Sequence, residues 1–134
     1  MRVSDILNEI KNIAGSNAKK AILESHSDND TLKLALKCGL DQFTPFNVVK
    51  IPKTTSRIVD PNLTDAQIWQ QFFNASKMCS DRVVTGNSAI AMLQITFSSC
   101  HSDDETWMRK ILKKHLAIGA STKTVNKVFP GLVI

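Results

Sequence analysis

Cations and small polar residues gather toward the C-terminal end of this chain. From Thr106 onward there are six Lys or Arg and no Asp or Glu. Arg109, Lys110, Lys113 and Lys114 come first. Arg109 pairs with Lys113 and Lys110 with Lys114 at i,i+4 spacing, so the four cannot share one helix face. Gly119-Ala120-Ser121 then breaks the pattern, and Lys123 and Lys127 follow at i,i+4 with Asn126 beside them. Gly119 permits close backbone approach. Ser121 can cap the next helix or donate to a phosphate oxygen. The free N–H groups of a helix start point outward and attract anions, and Asn126 is placed to reach a backbone phosphate or a minor-groove edge. Thr85-Gly86-Asn87-Ser88 forms a second corner of this kind, with Arg82 just before it; its plainer reading is an ordinary N-cap. Read alone, the basic helix fits a solvated face equally well. Together, cap, cations and helix start converge on phosphate contact, which positions a protein on nucleic acid without reading its sequence.

Enzyme chemistry finds less support. His26, His101 and His115 lack HExxH spacing, and no Cys accompanies them at structural-zinc spacing. Asp103, Asp104 and Glu105 are clustered acids of the kind that hold Mg²⁺, but their place in the first turn of a helix is explained by the helix dipole. No GxxxxGK[ST] loop is present. Cys38, Cys79 and Cys100 form no CxxC pair and have no evident base, so they read as free, partly buried thiols of a reducing compartment. No catalytic residue, metal or cofactor is expected in this chain. Trp69 and Trp107 occupy core-like helical positions. Aromatics do not alternate with the basic residues, which argues against a stacking platform for single strands.

These residues must be positioned by helices. A chain of 134 residues can bury an adequate core as one domain. Its net charge of +5 matters less than where the charge sits, because a local basic patch concentrates phosphate. No apolar run is long enough to cross a membrane, and the N-terminus lacks a secretory h-region; an intracellular setting is expected. Apolar periodicity predicts about seven short helices and no sheet. The first spans Val3 to Ile13, capped by Ser4. The second is capped by Ser16 and fades near His26. The third starts at Asp28 and ends at Gly39. A fourth runs from Thr64 to about Ser80, and a fifth opens at Thr85-Gly86. The sixth starts at a Ser102–Glu105 capping box and ends at Gly119; the seventh runs from Ser121 to Pro130-Gly131. Leu40 to Asn62 reads as a long ordered loop whose aromatics tuck into the helices, with Val48 to Ile51 a possible short strand.

The same residues resemble a known family. Ile6-Leu7-Asn8-Glu9-Ile10, Ala21-Ile22-Leu23-Glu24, Thr85-Gly86-Asn87-Ser88-Ala89-Ile90, Gly119-Ala120-Ser121 and Asn126-Lys127-Val128-Phe129-Pro130-Gly131-Leu132 are similar to segments of the N-terminal DNA-binding domain of the ATP-dependent DNA ligases of T-even bacteriophages. These pieces bracket nearly the whole chain; Phe43 to Pro61 departs from the pattern. The resemblance implies an all-α module, residues 1–134, that grips nicked double-stranded DNA through its sugar-phosphate backbone in the minor groove. The nucleotidyltransferase and OB-fold domains that complete such an enzyme are absent here, as is a Lys-x-Asp-Gly nucleophile, so the chain reads as an isolated domain or a truncated relative, inactive by itself. ATP and Mg²⁺ are then cofactors of the parent enzyme, the parent's catalytic domains are partners, and a monomer is expected. A phage-encoded protein would act in the cytoplasm of an infected bacterial host. The alternative is a helical protein-interaction module of a replication or repair protein, or an RNA-binding accessory domain.

Overall fold

The computed structural model describes residues 1–41, 43, 45–48 and 50–133. Among these residues there are seven helices and no strand: α1 (Val3–Asn12), α2 (Ser16–Ser25), α3 (Asp30–Leu40), α4 (Asp65–Ser80), α5 (Gly86–Ser98), α6 (Ser102–Leu112) and α7 (Thr122–Val128). This is the expected all-α class. Helix α1 packs on α2 and α6, α3 on α4 and α6, α4 on α5, and α7 on α2.

The apolar spacing accounts for the core. Val3, Ile6, Leu7 and Ile10 recur every three or four residues and are fully buried on α1. Helix α4 starts where the sequence places it: the Thr64 hydroxyl accepts from the Gln67 N–H, and the Gln67 side chain accepts from the Thr64 N–H. Its Trp69 and Phe72 rings meet edge to face at 5.9 Å. Trp107 is 2% exposed and donates its indole N–H to Asn8 Oδ1 at 3.1 Å. Both tryptophans therefore belong to the core.

Five expected boundaries differ: Gly15, not Ser16, is the N-cap of α2, and three of the other four follow from partners found far along the chain. Ser4 is fully buried within α1, not its cap, and donates its hydroxyl to Asp104. The start of α1 is instead served by Asp65, whose Oδ2 accepts the Val3 N–H at 2.9 Å. Helix α3 is capped by Asn29, which accepts from the Leu32 N–H at 3.0 Å, rather than by Asp28. It continues through Gly39 to Leu40. A Cβ on Gly39 would lie 3.1 Å from Leu116 Cδ2, so the bare backbone is needed for packing and not for a stop. His101, not Ser102, is the N-cap of α6, and no capping box forms there. The acids of its first turn serve other elements: Asp103 pairs with Arg2, and Asp104 is fully buried against Ser4 with Arg2 at 3.7 Å.

Two arginines tie the Pro52–Ile58 stretch, between α3 and α4, to the helices. Arg57 Nη1 donates to the Phe97 and Cys100 carbonyls, both at 2.7 Å, and Nη2 to Glu105 Oε1 at 2.8 Å. Arg109 donates Nε to Glu105 Oε2 at 2.7 Å and Nη2 to the Pro52 carbonyl. The Ile58 N–H reaches the Ser98 carbonyl at 2.8 Å. Phe46 and Pro52 are buried as expected of a tucked loop, but Phe43 is 78% exposed. Val48, Lys50 and Ile51 form no strand; Val49 lies outside the described residues.

Burial alone would push the Glu105 carboxyl up, but the hydrogen bonds from Arg57 and Arg109 outweigh it and hold the group below its ordinary value of 4.5. Stability from this clamp is full above that value and is lost as pH falls through the lowered native one. In urea titrations from about pH 5 to about pH 3, the parent should lose stability that Glu105→Gln does not. Parallel pH dependences would remove the clamp from the acid response.

Candidate nucleic-acid interface

The C-terminal basic region is built differently from the expected long helix ending at Gly119. Helix α6 stops at Leu112 with Lys113 as its C-cap. The Lys114 N–H bonds the Ile111 carbonyl and the His115 N–H bonds the Lys110 carbonyl, each at 3.0 Å. This is the Schellman pair that closes a helix through a left-handed residue. Here that residue is Lys114, at φ +55°. Its ammonium donates to the Cys38 carbonyl at 2.7 Å and sits 4.1 Å from the Phe46 ring centroid. Burial lowers its pKa. Sequence periodicity missed this stop because glycine, not lysine, is the usual residue there.

Gly119, at φ +74°, lies seven positions beyond the end of α6 and does another job. A Cβ there would stand 3.1 Å from Lys19 Nζ. Lys19 is only 7% exposed, and its ammonium donates to the Ile10 carbonyl and, at 3.0 Å, to the Ile118 carbonyl. Gly119 thus makes room for a buried cation that joins α1, α2 and the α6–α7 connection. Ser121 caps α7 as expected, accepting from the Thr124 N–H at 3.2 Å.

The candidate contact residues divide into two groups. Lys113, Lys123 and Lys127 are exposed and carry no ion pair among the described residues. Arg109 is turned inward to Glu105 and Pro52 and lies 4.7 Å from the Phe97 ring centroid. Asn126 is likewise occupied. Its Nδ2 donates to the Val133 carbonyl at 2.8 Å and its Oδ1 accepts the Val133 N–H at 3.0 Å, so it fastens the chain after Pro130-Gly131 instead of reaching outward.

At the second corner, Thr85 precedes α5 but its hydroxyl caps nothing. Gly86, at φ +55°, faces open space, and Asn87 and Ser88 are exposed. This helix start lacks a side-chain cap, whereas that of α7 has one. Arg82 Nη2 lies 3.5 Å from Asn47 Oδ1, and Asn47 donates Nδ2 to the Ser80 carbonyl at 3.0 Å. Asn47, Arg82, Phe46 and Lys114 line a cleft of about 420 Å³. Lys114 also lines a cleft of about 310 Å³ with Gly39, Leu40, Ser121 and Thr122. Lys114 is thus common to a cleft that includes Arg82 and to one that includes Ser121. Of the four described non-glycine residues with positive φ, three (Asn47, Arg82 and Lys114) line the larger cleft. Such strained residues persist where their surroundings hold them, often at functional sites.

The thiols are poor nucleophiles. Burial pushes Cys100 up to about 12, and raises Cys38 and Cys79 as well. His101 and His115 are exposed, and among the described residues no group of three or more His, Cys, Asp or Glu is arranged to hold a metal ion. No described helix is long and apolar enough to cross a membrane.

No protein-family model matches the chain. It is 34% identical over 131 residues to the DNA ligase of Enterobacteria phage T4, a match covering 96% of this chain and 26% of that protein. The DNA ligase of Enterobacteria phage T6 matches to the same extent. The solved structure Pmar-Lig_PreS3 superposes with a TM-score of 0.84 at 22% identity, covering 100% of this chain and 31% of the other. Pmar-Lig_Pre. superposes with a TM-score of 0.78 at 25% identity. The chain is thus similar, over nearly all its length, to a segment making up 26% of the curated ligases it matches.

The geometry around Gly119 sets an expectation for stability. Gly119→Ala should cost about 1–2 kcal/mol for the left-handed backbone. It should also be non-additive with Lys19→Ala, because the new methyl and the ammonium compete for one space. Urea unfolding of both single variants and the double variant measures this; strict additivity would separate the two residues.

Proposed function

We propose that this chain is the DNA-binding domain of an ATP-dependent DNA ligase, holding nicked duplex DNA by its sugar-phosphate backbone so that separate catalytic domains can seal the nick. The observation that carries this reading is the similarity to phage DNA ligases, which runs over 96% of the chain. The surface supports it. Arg82, Thr85, Gly86 and Asn87 supply a cation and an uncapped helix start at one corner. Lys113, Ser121, Lys123 and Lys127 supply three exposed cations and a hydroxyl at the other. Contacts of these kinds position a protein on phosphates and carry little base specificity. Arg109, Lys114, Gly119 and Asn126 support that surface: they fix the loop, the end of α6, the space for Lys19 and the C-terminal segment.

In this reading ATP and Mg²⁺ serve the parent enzyme, and no residue of this chain is assigned to either. The domain acts as a monomer tethered to its catalytic partners, in the cytoplasm of an infected bacterium if phage-encoded.

The primary test is fluorescence anisotropy with nicked duplex DNA across a salt series. The chain should bind, with log K falling linearly in log salt. Lys123→Ala/Lys127→Ala should weaken binding to every sequence and reduce the slope by about two, roughly one per phosphate lost. No binding at low salt would overturn the reading, and an unchanged slope in the folded double variant would remove these two lysines from it.

Catalysis is a separate expectation. Incubation with labelled ATP and Mg²⁺ should yield no covalent AMP-protein species, since the chain has no Lys-x-Asp-Gly sequence. An adduct on the pure chain would show a nucleotidyltransferase centre within it.

A further inference from the structure

Helix α5 contains no charged residue, although it lies in a basic protein. Asn87, Ala91, Gln94 and Ile95 are all exposed and follow one another at helical spacing, so they form a single uncharged stripe. At its N-terminal end stands the Arg82–Asn87 corner. At its C-terminal end the stripe meets the segment between α3 and α4. There Lys53, Thr55, Ser56, Gln94, Ile95 and Ser98 line a cleft of about 210 Å³.

With Thr54 also in its lining, that cleft holds one ammonium, four hydroxyls and an amide and no carboxylate; of the hydroxyls, Ser98 already donates to the Ile95 carbonyl at 3.0 Å. Its walls are held. Arg109 binds the Pro52 carbonyl on one side of Lys53–Ser56, and Arg57 binds the Phe97 and Cys100 carbonyls on the other. The nearby acid, Glu105, is bound by both arginines. Lys53, Thr55 and Ser56 remain exposed between the two anchors. Ile95 is 68% exposed in the cleft wall, and Ile58 is 83% exposed just beyond it. A fixed row of donors beside an apolar side chain suits one ligand class well: phosphate oxygens take the donors, and the deoxyribose face takes the isoleucine.

We infer that the Lys53–Ser56 cleft is a second sugar-phosphate site, which holds one backbone of the duplex while the Arg82–Asn87 corner holds the other. The uncharged stripe of α5 lies between them. From Asn87 to Ser98 the helix rises roughly 16 Å, enough to cross a minor groove about 6 Å wide and reach both flanking strands. A charge-free surface suits that span, because cations are wanted at the backbones and a neutral face fits between them. This inference rests on the DNA-binding reading above, and it assigns a role to a segment outside the C-terminal basic region.

The test uses the full chain, duplex DNA and a salt series. Lys53→Ala and Lys53→Glu change an exposed side chain, and circular dichroism verifies that both fold. Lys53→Ala should reduce the salt slope by about one, and Lys53→Glu should weaken binding further. Ile95→Ala should weaken binding with the slope unchanged. The Lys53 losses should add to those of Lys123→Ala/Lys127→Ala, because the sites are distinct. If folded Lys53→Glu and Ile95→Ala bind with the parent's affinity and slope while the Lys123/Lys127 variant is weakened, the second site is wrong and the domain's DNA binding stands. If the parent binds no duplex at all, both readings fall together.

Discussion

The position of the C-terminal third depends on one buried ammonium. A charge removed from water must be hydrogen-bonded or it is too unfavourable to keep. Lys19 meets that condition with two carbonyls, one from Ile10 in the last turn of α1 and one from Ile118 in the connection before α7. The carbonyl end of a helix carries partial negative charge, so α1 supplies a favourable partner. The second partner has to come from the α6–α7 connection, and it can approach only because residue 119 has no side chain. Ile118, Ala120 and Val125 are buried in the same region and bring α7 against α2. The exposed lysines of α7 are thus positioned by a lysine that is not exposed.

The opposite end of α1 is fixed by the reverse arrangement. Its first N–H, the Ser4 hydroxyl and Arg2 meet carboxylates: Asp65 on the Val3 N–H, Asp104 on the Ser4 hydroxyl, and Asp103 on Arg2. Anionic groups at a helix start and a cation at its end both complement the dipole. Helix α1 therefore anchors both ends of the fold, reaching α4 and α6 at its start and the α6–α7 connection at its end. The Arg57–Glu105–Arg109 clamp extends this order to the segment before α4, using carbonyls at the end of α5. That places the Lys53–Ser56 loop on a rigid support although it contains no helix.

Features set by local chemistry were legible in the sequence. The start of α4 needs only Thr64 and Gln67, three residues apart, and α7 needs only Ser121. The apolar spacing of α1, α4 and α6 named most of their core residues, including both tryptophans, although Ile13 and Met78 fit the same spacing and are exposed. Features set by distant partners were not legible. Asp104 lies in the first turn of a helix and reads as a solvated dipole partner until Ser4, one hundred residues away, is seen donating to it. Lys19 looks like any surface lysine of an amphipathic helix. Arg109 and Asn126 read as outward contacts because nothing local reveals that Glu105, Pro52 and Val133 occupy them. Phe43 and Phe46 share composition and neighbourhood, yet only Phe46 has Lys114 and a wall of α3 and α4 residues beside it. The end of α6 was placed at Gly119 because a left-handed lysine is a rare stop.

That left-handed lysine, with Asn47 and Arg82, bears on how the protein responds to selection. Each holds a backbone conformation that costs a non-glycine residue roughly 1 kcal/mol, so glycine at any of the three would relieve backbone strain. A directed-evolution campaign that rewarded only thermal tolerance would be drawn toward these positions, and at Arg82 or Lys114 every such gain would delete a cation from the cleft. Marginal stability here would be the residue of selection for a charged surface, the familiar tension between robustness and activity. Libraries screened for heat resistance and for ligand retention should diverge first around this cleft, well before they diverge in the apolar core.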